Sequence, residues 1–375
     1  MGESKDVLRR FRYNREPDMA IKKYFFYFIL VVLLLIFADV ISSYFLFYFF
    51  ALKGYERPNF SYKKDGWAPS VVVASKMYSG VVKRLAASEQ CKSRAQPMFY
   101  HYDETYGYGR SPGRYIFTVC PNYRTPDPKK TYEWTATIDK DGARQTSHRK
   151  FENPKRIFLF GDSWIFGWAV NDEQAMAWLL QDYFQDRWTA RNYAQPGGGL
   201  VQALIKYRLL RQQLTRDDIL IFGYANYYSQ RDVAAPSRIS EEYLGLEQHT
   251  EPLKHPRGRV INGKVEVDFI PLSCQTPEKY CDQTDPPVEQ MRSVTSGIFD
   301  EIIETSPSRL AVLYLSGSDN DSVVTHLKKK QIPIIDGRLD TSKSFTNDSI
   351  YGYDSHPGPF ANYYWYTQIK KYIEK

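Results

Sequence analysis

From about Asn153 onward, short apolar runs alternate with stretches whose apolar residues recur every three or four positions. Arg156–Phe160 (RIFLF), Ala190–Tyr193, Asp218–Phe222 (DILIF), Leu310–Leu315 (LAVLYL) and Ile332–Ile335 read as strands, because unbroken apolar runs of that length suit a sheet buried on both faces. Glu173–Trp188, Leu200–Leu214, Val288–Glu304, Asp319–Lys330 and Ala361–Ile373 carry helical spacing. This alternation predicts an α/β fold, a parallel sheet with helices on both faces and its site at the carboxyl ends of the strands. An excursion from about Arg231 to Pro287 interrupts the pattern. It holds a hairpin signal, Arg259–Val267, around Asn262-Gly263. Its position after the third strand leaves two readings open, a lid over the site or a surface excursion. Residues 53–152 are rich in aromatics and turn formers without a clean period, and read as a stalk followed by a small β-containing lead-in.

The most apolar part of the chain lies earlier. Tyr24 to Leu52 is an apolar run of about 29 residues, roughly 43 Å as a helix, interrupted by one acid, Asp39. A bilayer core needs about 20 residues, so this run is expected to span a membrane. Lys5, Arg9, Arg10, Arg12, Arg15, Lys22 and Lys23 precede it, and the flank after it is less basic. The positive-inside rule therefore expects a cytoplasmic tail (1–23), a transmembrane helix (24–52) and the rest of the chain in a periplasm, a lumen or the extracellular space. Asp39 is read either as a tolerated acid or as a polar contact to another membrane helix.

Composition narrows the field. Hydrophobic residues make up 43% and aromatics 16% of 375 residues, which excludes a mainly disordered chain. A net charge of +7, without a basic stripe interleaved with aromatics, argues against nucleic acid as a partner. Cys91, Cys120, Cys274 and Cys281 are an even set whose local spacing suggests Cys91–Cys120 and Cys274–Cys281 disulfides, among three possible connectivities. No CxxC pair or suitably spaced His accompanies them, so no metal and no cofactor is expected.

Four local patterns carry chemistry. Ser163 follows RIFLF in Gly161-Asp162-Ser163, at the carboxyl edge of the predicted sheet, where it is either a nucleophile or an N-cap. Asn192–Gly199 (NYAQPGGG) places consecutive glycines before a helix, which leaves backbone N–H groups accessible. Asn226 follows the third strand and has a side-chain donor. Asp354-Ser355-His356-Pro357 sets an acid two residues before a histidine, ahead of the last helix.

Together, and in this order, these blocks resemble the SGNH (GDSL-like) hydrolase family over about Asn153 to Lys375. The resemblance implies a flavodoxin-like parallel sheet of about five strands, in a domain spanning 153–375 with the insertion 231–287. It implies Ser163 as nucleophile, with His356 and Asp354 as base and orienting acid. It implies Gly197, or one of its neighbours Gly198 and Gly199, with Asn226 as oxyanion donors. Tyr227 stands where the family often has Asp. The expected function is a membrane-anchored serine esterase or acyl(acetyl)transferase acting outside the cytoplasm on acylated envelope carbohydrate. Two alternatives stand beside it. One is a lipid or lipoprotein esterase. The other is a non-catalytic module that binds carbohydrate or docks to a membrane acyltransferase.

Overall fold

A computed structural model describes residues 24, 26–34, 37, 41, 94–120, 131–151, 155–239, 254–271, 283–339 and 356–375. The chain forms two compact units, Met1–Cys91 and Lys92–Lys375. In the first, Tyr24, residues 26–34, Phe37 and Ile41 are helical, and their large apolar side chains are exposed. Among the described residues no helix is long and apolar enough to cross a membrane. Asp39 and the rest of the expected span lie outside them.

The second unit is built on five parallel strands, β6 (Arg156–Phe160), β7 (Thr189–Asn192), β8 (Ile219–Ala225), β11 (Arg309–Ser316) and β12 (Ile334–Asp336). Their order across the sheet is β12-β11-β8-β6-β7. Renumbered within the sheet this is 2-1-3-4-5, a doubly wound order whose direction reverses between β6 and β8. All seven residues of β8 are buried, as the middle strand of a sheet covered on both faces requires.

The unit's helices include α1 (Ser163–Phe166), α2 (Met176–Phe184), α3 (Leu200–Leu210), α4 (Tyr228–Asp232), α5 (Val288–Thr305), α6 (Ser322–Lys329) and α7 (Pro359–Ile373). The β6-to-β7 crossover runs one way along the sheet and the later crossovers run the other way. Right-handed connections therefore put α2 on one face and α3, α5 and α6 on the other. The packing agrees, because α2 meets α7 while α5 meets α3 and α6.

The core continues into the lead-in. Strands β1 (Arg94–Gln96), β4 (Gly113–Val119) and β5 (Tyr132–Ile138) form an antiparallel sheet in the order β1-β4-β5. A short hairpin, β2 (His101–Asp103) and β3 (Gly107–Gly109), lies between β1 and β4 in sequence. Trp134, Ala136 and Ile138 point inward at alternate positions, the two-residue period of a half-buried strand. Phe117 lies opposite Trp134, and their rings stack at 3.9 Å. These side chains belong to the same buried cluster as the parallel sheet. The change of pattern near Asn153 is therefore not an edge of the core.

In the excursion, β9 (Lys254–Ile261) and β10 (Lys264–Pro271) pair as the predicted hairpin, longer than expected. Asn262 and Gly263 take φ of +52° and +76°, the left-handed pair that a type I′ turn needs. The hairpin packs against α5, with Gly297 leaving room for Val265.

Candidate active site

Ser163 is placed by two glycines and one wedge. Gly161 has φ +153°, and a Cβ there would sit 2.5 Å from Ile165 Cγ1. A Cβ on Gly223 of β8 would sit 2.3 Å from the same atom. Ile165 thus locks α1 down between β6 and β8, at the point where the winding reverses and ligands bind in such sheets.

Asp162, not Ser163, is the N-cap of α1. Its Oδ1 accepts the Trp164 N–H at 2.9 Å. With the cap supplied by its neighbour, the Ser163 hydroxyl is available, and it lies 2.9 Å from His356 Nε2. This contact joins residues 193 positions apart. His356 stands just ahead of α7, whose first turn is tied to α2. Asn362 Nδ2 donates to Gly358 O at 3.0 Å, and its Oδ1 accepts the Met176 N–H at 3.1 Å. Trp168 lies beside His356, ring centres 6.0 Å apart, and packs on Phe117 and Trp134 of the lead-in. Asp354 lies outside the described residues.

Asp162 also links three of the four motif blocks. Its Oδ2 accepts the Tyr227 hydroxyl at 2.8 Å and Arg231 Nη1 at 2.7 Å. The same Arg231 nitrogen donates to Gly198 O at 2.8 Å. Burial, with the Asp162 carboxylate next in weight, holds the Tyr227 phenol well above its ordinary range, so it remains a donor. Tyr227 is therefore a hydrogen-bond donor to the Asp beside Ser163.

The glycine loop contributes one open donor. The Gly198 N–H is held by Gln195 O at 2.9 Å, and the Gly199 N–H by Gln202 Oε1 at 2.8 Å. The Gly197 N–H has no acceptor among the described residues. Gly197 has φ +78°, which glycine adopts without a Cβ penalty. Of the three candidates, Gly197 is the one with a free N–H. Asn192 anchors the start of this loop, donating from Nδ2 to Ile165 O at 3.0 Å. Asn226 is exposed in the turn after β8. Its N–H donates to Ser316 O at 2.9 Å, and its side-chain amide makes no hydrogen bond among the described residues.

Cys120 is disulfide-bonded. Its partner lies outside the described residues, as do Cys91, Cys274 and Cys281. Among the described residues no cluster of His, Cys, Asp or Glu is placed to hold a metal ion.

The residues that sequence reasoning missed are the ones that hold the others: Asp162 as cap and hub, Tyr227, Arg231, Trp168 and Arg144. Arg144 is fully buried and reaches from the lead-in to the backbone of α1, donating to Phe166 O at 2.9 Å and Gly167 O at 2.6 Å. Only Asp162 had a local signal, as an Asp directly before a helix.

No family model and no curated protein matches the chain. Solved structures similar to it include a psychrotrophic esterase from Pseudoalteromonas sp., at 15% identity and a TM-score of 0.33, covering 59% of this chain and 99% of that one. Another is a G-D-S-L family putative lipolytic protein from Desulfitobacterium hafniense, at 10% identity and a TM-score of 0.35, covering 58% and 98%. A third is a lipase/acylhydrolase from Enterococcus faecalis, at 12% identity and a TM-score of 0.31, covering 59% and 95%.

Proposed function

We propose that the chain is a serine hydrolase of the SGNH type, an esterase or acyltransferase whose nucleophile is Ser163. The observation that carries this reading is the 2.9 Å contact between Ser163 Oγ and His356 Nε2, at the reversal point of a doubly wound sheet. His356 Nε2 takes the hydroxyl proton as Ser163 Oγ attacks an ester carbonyl, and Asp354 orients the imidazole. The carbonyl oxygen gains negative charge, which the Gly197 N–H and the Asn226 side chain receive. As the tetrahedral intermediate collapses, His356 returns the proton to the leaving alcohol. Water then releases the acyl group, or a sugar hydroxyl accepts it.

The apolar run 24–52, with its basic N-terminal flank, supports a single-pass anchor with the catalytic unit outside the cytoplasm. Acylated envelope carbohydrate is the substrate class this placement suggests. The even set of four cysteines, with Cys120 disulfide-bonded, fits the same compartment.

The test is covalent labelling of the full chain, in detergent, by a fluorophosphonate, alongside hydrolysis of phenyl acetate. Ser163→Ala and His356→Ala should each abolish labelling and lower kcat/KM by at least about 10³-fold. Labelling that survives Ser163→Ala overturns the assignment. A folded wild-type protein that neither labels nor hydrolyses the ester leaves the chain a binding module.

A further inference from the structure

A cavity of about 180 Å³ lies against the glycine loop, lined among others by Arg110, Lys206, Tyr106, Tyr193, Gln195 and Gln202. Gln195 precedes Gly197 by two residues, and its N–H is fixed to Gly161 O at 2.8 Å. One wall of the cavity is therefore the loop that carries the proposed oxyanion donor. The opposite wall comes from the lead-in.

Arg110 is left incomplete there. Among the described residues its buried Nη1 has no hydrogen-bond partner, and its Nη2 makes one long contact, 3.4 Å to Gly142 O. The guanidinium sits over the Phe166 ring at 4.9 Å. Lys206 Nζ has three donors and among the described residues uses one, to Asp141 O at 3.0 Å, over the Tyr193 ring at 4.2 Å. The two acids of the wall are already engaged. Asp103 Oδ1 accepts the N–H groups of Thr105 and Tyr106, both at 2.8 Å. Asp141 accepts the Tyr193 hydroxyl at 2.5 Å and the Ala143 N–H at 3.3 Å. Burial outweighs the nearby tyrosines and pushes the Arg110 guanidinium down to about 10, as expected for an under-compensated charge.

We propose that this cavity binds a carboxylate carried by the substrate, with the Arg110 guanidinium and Lys206 Nζ as its donors. The identification of the ligand as part of the substrate rests on the esterase reading above. A single negative charge suits the cavity better than a phosphate dianion, because Asp103 and Asp141 repel the second charge. The volume exceeds that of a carboxylate alone, at about 30 Å³ per water, and leaves room for part of a sugar ring. Tyr106 and Tyr193 supply aromatic surface for such a ring. Of the proposed carbohydrate substrates, uronic-acid types fit this chemistry.

The test is calorimetric titration of the full chain in detergent, carrying Ser163→Ala so that nothing turns over. Sodium glucuronate is the probe, with glucose and inorganic phosphate as comparisons. Glucuronate should bind saturably, and glucose and phosphate at least about tenfold more weakly. Arg110→Gln and Lys206→Met should each weaken glucuronate by about tenfold or more. Lys206→Met carries the test if Arg110→Gln does not fold. Equal binding of glucose, stronger binding of phosphate, no binding of glucuronate, or variants that bind as before would each overturn the proposal. A wild-type protein that fails to label while the Ser163→Ala protein binds glucuronate would overturn the esterase reading and leave the carboxylate site standing.

Discussion

Arg144 and Arg110 both come from the lead-in, and both place a guanidinium on the Phe166 ring, at 4.8 Å and 4.9 Å. Their hydrogen bonding differs. Arg144 Nε donates to Asp172 at 2.9 Å, and its other nitrogens reach the carbonyls of Phe166, Gly167, Thr135 and Val170. That matches the full donor set of a guanidinium. Among the described residues Arg110 has one long contact and a buried nitrogen with no partner. Two similar side chains on one aromatic ring thus have different roles. The first is a brace, since every donor it has closes a gap between β5, α1 and the turn after it. The second lies at the wall of a cavity with its guanidinium under-bonded, which suits a group whose partner is a ligand.

The largest expected effect tests the brace. Arg144→Met keeps the volume but leaves Asp172, 5% exposed, without its counter-charge, and the carbonyls without donors. Removing one partner of a buried pair costs about 3–5 kcal/mol. Denaturation of the full chain by urea should show a loss of that order. Fluorophosphonate labelling of the folded fraction should slow as well, because Arg144 holds the backbone of α1. A variant as stable as the wild type would show that Arg144 and Arg110 do not differ in kind.

A second buried charge sharpens the contrast from the acid side. Asp232 accepts the Val201 N–H at 3.0 Å, at the start of α3, and the Thr295 hydroxyl at 2.7 Å. These bonds and Arg231 lower its pKa, yet burial outweighs them and raises the carboxyl to about 7. An unfolded Asp titrates near 4. Between about pH 4 and pH 7 the folded protein therefore holds a proton that the unfolded chain has lost. Stability falls as pH rises through that window, and this contribution is flat on either side. At its steepest the slope is roughly 1–1.5 kcal/mol per pH unit. Asp232→Asn keeps an acceptor for α3 and cannot titrate. Thermal melts from pH 4 to pH 8 should show a flatter curve for the variant, which gains on the wild type toward the alkaline end. Parallel curves would mean that Asp232 is ionised throughout.

The sheet was legible because its signals are local. RIFLF is a strand over the residues expected, and Val288–Thr305 exceeds the predicted helix by one residue. Asp319–Lys330 shrank to Ser322–Lys329 because the Asp321 side chain caps the helix two residues in. The pairing of Ser163 with His356 was expected only from the family resemblance, since no local signal spans 193 residues. The lead-in was harder to read. Its alternation is present in YEWTATI, but its contacts are long-range: Arg144 meets partners 22 to 28 positions away on the α1 side. Nothing in the residues next to Arg110 indicates that one of its nitrogens is left over.

The smallest expected effect is the one that distinguishes the two arginines. At neutral pH Arg110 is charged both folded and unfolded, so its incompletely compensated burial is a constant penalty to the fold. Arg110→Met removes that penalty and fills similar space with a flexible apolar chain beside Phe99 and Phe166. A buried charge exchanged for a well-packed apolar residue is often neutral or stabilising. The ligand-free variant should therefore lie within about 1 kcal/mol of the wild type in urea. Glucuronate should raise the melting temperature of the wild type and leave that of Arg110→Met unchanged, because a ligand stabilises only the state that binds it. A loss comparable to that of Arg144→Met would make Arg110 a second brace. An equal rise in both proteins would place the carboxylate elsewhere.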